Sequence, residues 1–464
     1  SAPCSPTPPD RNPLALMSHT TDMTTGAPAK SIVRFALPLI LGYILQQFYL
    51  VIDAVIVGRC VGVGALAAVG ASSSVMFLIM GFCNGSCAGF AIPVAQSFGA
   101  KDFSKMRAYV ASSLRIAVVL AAVITLITSL LCRKILTVVN TPADIFAEAY
   151  IFLLVNFLAI PFTMAYNLLS GFIRALGNSR QPFYFLIASS VLNILLDLGF
   201  ILVLGMGVAG AAIATLIAQA FAAVLCVVYI HRHLQLLIPV GHEWDYHDSM
   251  TGRLLGTGIP MGMQFSITGI GIIMLQSANN ALGTTCVAAF TASMRIKYLF
   301  TCVFENVGVA MATYCGQNVG AKRLDRVSAG VRASLRIVLV YSVLTFLIIY
   351  PLADTLMWLF VDSGGEEIVE HAAQFMRINN YFYAVLGVLC ILRYSIQGLG
   401  FSNLSMLSGV MEMVARCGVS LWLVPAFHFT GVCFGDPVAW IAADLFLIPA
   451  YFFVLRLLRK RLAG

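Results

Sequence analysis

Charge is the scarcest thing in this chain. Only 10% of its 464 residues are Asp, Glu, Lys or Arg, against 60% that are hydrophobic, and the mean hydropathy is +0.91. Soluble globular chains carry about 25% charged residues, so a set of soluble domains is excluded. Metal and redox spacings are missing too: the 12 cysteines include no CxxC pair and no Cys/His ligand pattern. Cys83, Cys87, Cys132, Cys226, Cys286, Cys302, Cys390 and Cys417 sit in or beside apolar runs and read as small buried hydrophobes. There is no HExxH, no GxGD-type aspartyl motif, no Ser/His pairing across apolar runs and no nucleotide-binding loop. Intramembrane catalysis and ATP-driven work therefore have no residues to carry them, and neither an enzyme nor a cofactor is expected. Residues 1–30 are rich in Pro, Ser and Thr and lack an apolar h-region, so they read as a disordered tail and not as a signal peptide. The 28 Lys and Arg gather into no single stripe, so no nucleic-acid partner is expected.

What is present is a series of long apolar runs. A bilayer core about 30 Å thick needs about 20 residues of helix, and lipid forces a spanning backbone to satisfy its own amides. Twelve helices are expected near 31–56, 65–97, 108–132, 145–170, 183–204, 208–231, 253–278, 286–317, 330–352, 368–394, 404–425 and 435–458. With alternating sides, one side collects Lys30, Arg34, Lys101, Lys105, Arg107, Arg115, Arg174, Arg253, Lys322, Arg323, Arg326, Arg393 and the basic C-terminal run. The other has Arg59, Arg133 and Lys134 with the acidic run Asp362, Glu366, Glu367 and Glu370. The positive-inside rule then puts both termini in the cytoplasm.

The halves repeat. Gln96-Ser-Phe-Gly99-Ala100-Lys101 and Gln317-Asn-Val-Gly320-Ala321-Lys322 follow the second and eighth spans, and Ser113-Leu-Arg-Ile and Ser334-Leu-Arg-Ile keep the same offset. Six spans per half, an even number, give both halves one orientation. The expected fold is an all-α membrane protein of two pseudo-symmetric six-helix lobes around a central cavity, which is transporter architecture. The boundaries are a cytoplasmic tail 1–30, an N-lobe 31–232, a cytoplasmic linker 233–252 and a C-lobe 253–464.

Ionisable groups inside spans are costly and are functional candidates. Gln46, Tyr49 and Asp53 share one face of span one, Gln46 and Tyr49 as candidate substrate-cavity residues, and Asn193 and Asp197 share a face of span five. With Thr215 of span six they offer two carboxylates, an amide and a hydroxyl, which can hold a hard cation or share a proton. The bland alternative is that both acids pin helices together. Two carboxylates in one lobe favour coupling. In the second half Asn193, Asp197 and Thr215 map onto Arg416, Ser420 and Trp440, and an arginine there argues against a cation site in the C-lobe. Glu412 with Arg416, and Lys297 with Glu305, are candidate ion pairs; alternatively Glu305 faces the cavity and attracts cationic substrate. Asn156, Thr163 and Asn167 in span four are either a lobe-packing stripe or a cavity wall, and Met76, Phe77 and Met80 either pack or offer an adaptable apolar surface. Arg174, at the end of span four, reads as a loop anchor or a snorkelling side chain.

Leu45-Gln46-Gln47-Phe48-Tyr49 with Asp53, Ser170-Gly171-x-x-Arg174-Ala175-x-Gly177-Asn178, Leu192-Asn193-Ile194-Leu195-Leu196-Asp197 and Gly207-Val208-Ala209-Gly210, with the doubled loop, carry a resemblance. Over residues 30–460 the chain resembles the multidrug and toxic compound extrusion (MATE) antiporters, and within them the DinF-like branch. The resemblance implies export of amphipathic, often cationic small molecules driven by H⁺ or Na⁺ entry, in a bacterial inner membrane and as a monomer. It implies an N-lobe cation or proton site at Asp53, Asn193, Asp197 and Thr215, a bend of span one at Pro38, and no metal beyond Na⁺. A lipid-linked precursor flippase of the same superfamily is the rival, and it would want Arg295, Lys297, Arg377 and Arg416 lining the cavity. Asp53 and Asp197 speak against it.

Overall fold

The computed structural model describes residues 20–139, 141–245, 247–358 and 365–463, and among them every regular element is helical. The first half runs α1 (Pro28–Cys60), α2 (Val63–Gly99), α3 (Phe103–Val138), a bent pair α4 (Phe146–Leu158) and α5 (Ile160–Ala175), α6 (Arg180–Leu198) and α7 (Gly207–His233). The second half runs α8 (Asp248–Asn280), α9 (Thr284–Gly320), α10 (Leu324–Met357), a bent pair α11 (Glu366–Tyr381) and α12 (Tyr383–Gly398), then α13 (Ser402–Gly418), short α14 (Val424–Phe427) and α15 (Phe429–Cys433), and α16 (Gly435–Ala463). Among the described residues ten stretches are long and apolar enough to cross a membrane, and the bent pairs, at 42° and 54°, bring the number to 12 if each is one span. Pro161 lies in the first turn of α5, where its missing N–H and its effect on the preceding residue break the fourth span. The bend expected at Pro38 is not among these breaks: α1 runs as one helix through it.

The repeat reaches down to backbone detail. A π-turn follows α6 at Gly199–Val203 and α13 at Val419–Leu423. Lys101 and Lys322, at the same place in the doubled loop, both sit at φ 59, a left-handed conformation that costs a non-glycine residue about 1 kcal/mol. One large apolar cluster belongs mainly to each half, but the halves exchange their openings. Ile32 and Phe35 at the start of α1 are buried in the second cluster, and Leu254 at the start of α8 in the first.

At the end of the bundle that carries Lys101 and Lys322, here called the basic end, the lobes are locked reciprocally. Gln96 Nε2 donates to the carbonyl of Gly398 at 2.9 Å, and Gln317 Nε2 donates to the carbonyl of Ala175 at 2.8 Å. Gly99 and Gly320 make this approach possible: a Cβ at either would lie 1.9 Å from the carbonyl oxygen of Gln317 or Gln96, respectively. The Oε1 atoms are taken as well, that of Gln96 by Arg253 Nη2 at 2.5 Å and that of Gln317 by the Met23 amide at 2.9 Å.

Met23 belongs to a strap before α1 that corrects the expected tail. Residues 1–19, like Asp362 of the acidic run, lie outside the described residues, but the next few are built into the lock. The Thr21 amide donates to the Leu176 carbonyl in the N-lobe, and Met23 is 1% exposed. From the C-lobe, Asn318, Arg323 and Arg326 donate to the carbonyls of Met23, Thr24, Thr25 and Gly26. A free tail would leave the buried Oε1 of Gln317 without its partner. The linker is docked too. Arg107 clamps Glu243 with two bonds of 2.7 Å, and Ser104 and the Val240 amide add two more. Burial by itself would raise the Glu243 pKa, but the Arg107, Val240 and Ser104 hydrogen bonds and the Arg107 charge outweigh it and hold the carboxyl below its ordinary range.

Two outcomes are expected. Gly320→Val forces the lobes apart at the basic end, at about 1–3 kcal/mol for overpacking. An added cysteine at that end should then react with a membrane-impermeant maleimide at least several-fold faster than in the parent protein, and an unchanged rate contradicts the lock. Because the folded-state pKa of Glu243 is depressed, its stabilisation is full above the ordinary carboxyl range and fades as pH falls through the depressed value. Glu243→Gln should lower stability by about 1.5–3 kcal/mol near neutral pH, read as a lower Tm in detergent, and the deficit should shrink on acidification below that range.

Candidate functional site

The two seams between the lobes differ. Where α2 meets α8, glycines let the backbones touch: a Cβ at Gly89 would lie 2.6 Å from the Cα of Gly258. On the side of α1 and α9 a cleft of ≈ 250 Å³ remains. Its walls carry Tyr43 and Gln46 of α1, Asn84 of α2, Thr163 and Asn167 of α5, Gln219 of α7 and Asn306 of α9. Asn167 Nδ2 donates to Asn84 Oδ1 at 2.8 Å and to the Thr163 carbonyl at 2.9 Å. A second, mostly apolar pocket of ≈ 70 Å³ lies toward the basic end, lined by Ala88, Ala91, Ile92, Val309 and Tyr394 among others. Arg174 lines both.

Of the residues named for the cavity, Gln46, Thr163 and Asn167 line the cleft. Asn156 does not: it is 6% exposed and bonds back to the carbonyl of Phe152 at 2.8 Å. It precedes the break between α4 and α5, and a face counted in steps of seven and four does not continue across a 42° bend. Phe77 lies at the lobe seam, with its ring 2.9 Å from where a Gly269 Cβ would be, and Met76 packs on the first-half core. Glu305 is half-buried and accepts the Tyr394 hydroxyl at 3.0 Å. Lys297 does not pair with it.

Within the N-lobe the structure brings Tyr49, Asp53, Asn193, Asp197 and Thr215 together from α1, α6 and α7. Asn193 Nδ2 donates to Thr215 Oγ1 at 3.4 Å, Thr215 Oγ1 donates to the Ala211 carbonyl at 3.1 Å, and the Asp53 and Asp197 carboxyl groups face each other. Asp197 is 0% exposed. Both of its oxygens, with Oδ1 of Asp53 and Oδ1 of Asn193, have no hydrogen-bond partner among the described residues. A fully buried carboxyl group facing a half-buried one, with no cationic partner on either, calls for a proton or a cation between them. Among the described residues no three His, Cys, Asp or Glu side chains are placed to hold a metal ion.

The corresponding region of the C-lobe is saturated. Arg416 holds Glu412 at 3.3 Å and Asp436 at 3.0 Å, Arg393 also bonds Glu412, and Lys297 also bonds Asp436. All five are at most 6% exposed. Arg393 and Asp436 escaped the sequence reading. Arg393 lies near a span end and reads from sequence as a topology charge, and Asp436, between a glycine and a proline, carries no signal of its partners in its own helix. Arg377 pairs with Asp354 at 2.5 Å, and Arg295 is exposed. Of the four basic residues that a flippase would need in the cavity, three are paired, and Arg295 lines neither the cleft nor the apolar pocket.

A family model, MatE, matches this chain twice, over residues 38–199 and 260–422. The chain belongs to the MatE family. Its two matches coincide with the two halves of the fold. The chain is 28% identical over 413 residues to "Probable multidrug resistance protein YpnP" of Bacillus subtilis, covering 89% of each chain. It is 26% identical over 438 residues to "Probable multidrug resistance protein YoeA" of the same organism, covering 91% of this chain and 93% of that one. A solved structure described as the outward-facing conformation of a multidrug resistance MATE family transporter of the MOP superfamily superposes with a TM-score of 0.88 at 21% identity, over 95% of this chain and 99% of the other. This MatE chain therefore has a two-lobe transporter fold and not an enzyme fold.

Removing one member of a buried pair leaves its partner uncompensated, at about 3–5 kcal/mol. Asp436→Asn strips Lys297 and Arg416 of a shared carboxylate. It should sharply reduce the yield and Tm of purified protein, and Lys297→Met combined with Asp436→Asn should recover part of the loss.

Proposed function

We propose that this MatE chain is a secondary transporter that exports amphipathic, often cationic compounds by antiport with H⁺ or Na⁺. The reading is carried by one observation: in the N-lobe the half-buried Asp53 faces the fully buried Asp197 and neither is in an ion pair, while at the corresponding place in the C-lobe Glu412 and Asp436 are held by Arg393, Arg416 and Lys297, leaving Asp444 as a single buried acid outside that network. Asp53 and Asp197, with Asn193 and Thr215, are the proposed coupling site, and the residues match the DinF-like pattern at those positions. An ion in the site neutralises the carboxyl pair; its departure leaves two facing charges that favour a rearrangement of α1, for which Pro38 is the proposed bending point. The basic end is the proposed cytoplasmic side of the plasma membrane, so the lock formed by Gln96 and Gln317 closes that side while the cleft beside α1 is reached from the other. The names of YpnP and YoeA as multidrug resistance proteins support efflux of drugs as the transported class.

In proteoliposomes, Asp53→Asn and Asp197→Asn should each reduce ion-gradient-driven transport of a fluorescent amphipathic cation by more than tenfold while its binding persists. Imposing Na⁺ and pH gradients separately identifies the ion, and transport at the parental rate in both variants removes the coupling assignment.

A further inference from the structure

Buried cations elsewhere in the membrane region are matched. Lys297, Arg393 and Arg416 each hold a carboxylate, and so does the partly exposed Arg377. The Arg174 side chain has no hydrogen bond or ion pair among the described residues, and the titratable groups around it are Tyr166, Cys226 and Cys87, none of them a carboxylate. It is the last basic residue of α5, yet it anchors no loop. Its side chain folds back along the helix, with Nη2 4.0 Å from the Cβ position of Gly171, one turn toward the middle of the membrane. There it borders both the amide-lined cleft and the apolar pocket beneath it. A side chain free to snorkel would turn the other way, toward water at the basic end.

We propose that Arg174 is the anion-recognising residue of the transport cavity, so that this protein takes amphiphiles carrying a carboxylate, zwitterions included. The proposal rests on the transport reading above and names its substrate class. The chemistry is that of the site. A guanidinium offers a planar fork of donors that a carboxylate fills with two hydrogen bonds, and at the edge of an apolar pocket those bonds form with little competition from water. Ala88, Ala91, Ile92 and Val309 beside it suit a small apolar substituent next to the carboxylate. The half-buried Glu305, with the Tyr394 hydroxyl on it, stands on the other lobe as the acidic counterpart for a cationic group. Asn84, Thr163 and Asn167 line the neighbouring wall with neutral polar groups that compete for neither charge.

Rhodamine B and its ethyl ester share one cationic ring system and differ in the free carboxylate. Their binding to the full-length protein in nanodiscs, corrected for empty discs, is measured by fluorescence anisotropy without any ion gradient. The parent protein should bind the free acid on the order of tenfold or more tighter than the ester, the worth of a charge-assisted hydrogen-bonded pair. Arg174→Gln should bring the acid to the level of the ester and leave the ester unchanged, and Arg174→Lys should keep part of the preference. Equal binding of the two dyes by the parent protein, binding of neither, or an equal loss for both in Arg174→Gln overturns the proposal. The parent comparison decides the matter even if the Gln variant does not fold. Because no gradient is used, the acid preference and the ion coupling fail separately: Asp53→Asn should retain the preference whatever it does to transport.

Discussion

The reciprocal crossing at the basic end is the constraint on which the rest of this molecule hangs. Two six-helix lobes in lipid gain little from burying apolar surface against each other, because lipid tails are as apolar as their side chains. What joins them must be close packing and hydrogen bonds. Gln96 and Gln317 each reach across to a carbonyl at the end of a helix in the opposite lobe, and Gly99 and Gly320 remove the side chains that would prevent it. The arrangement is two-fold, so both halves of the repeat are needed to make one lock. It is also made of a few discrete bonds, so it can open as a unit, which a two-state transporter requires. The strap through Met23 adds bonds to both lobes at the same place, biasing the closed arrangement further.

Against that shared scaffold the two lobes have diverged in charge. Where Arg416 binds Glu412 and Asp436, the first half has Asn193 with Asp197 one turn on. A saturated ion-pair network is rigid and electrically quiet; breaking it leaves a buried charge unpaired. A pair of facing carboxyl groups without cations changes its net charge with each ion it takes or loses. On the proposed reading, the first half responds to ions through Asp53 and Asp197, while the network around Arg416 holds the shape of the second. Arg174 breaks the pattern, since it belongs to the first half and to neither kind of cluster, and it lines both the cleft and the apolar pocket.

Much of this was legible in residues alone. Apolar run lengths, the sidedness of Lys and Arg, and the doubled Gln-x-x-Gly-Ala-Lys loop were enough for helix number, two lobes and the place of the repeat, because lipid permits so few backbone solutions. Helical periodicity put Asp53 with Tyr49, and Asn193 with Asp197, on single faces. It failed where a helix did not stay straight. Asn156 kept the right spacing to Thr163 and Asn167 but lies before the break at Pro161, whereas Arg174, seven residues beyond Asn167 on the same unbroken helix, belonged to the face all along.

By itself, then, the sequence determined which segments enter the membrane, that they form two like halves, and which polar residues must be paid for inside it. Those follow from local hydrophobicity and from spacing along one helix. Partner choice was decided by the tertiary structure alone: Lys297 with Asp436 and not Glu305, Arg393 with Glu412, the strap with Gln317, and Arg174 with no acid. Pairing of this kind depends on how helices distant in sequence are rotated and set against one another, and no single helix carries that information in its own periodicity.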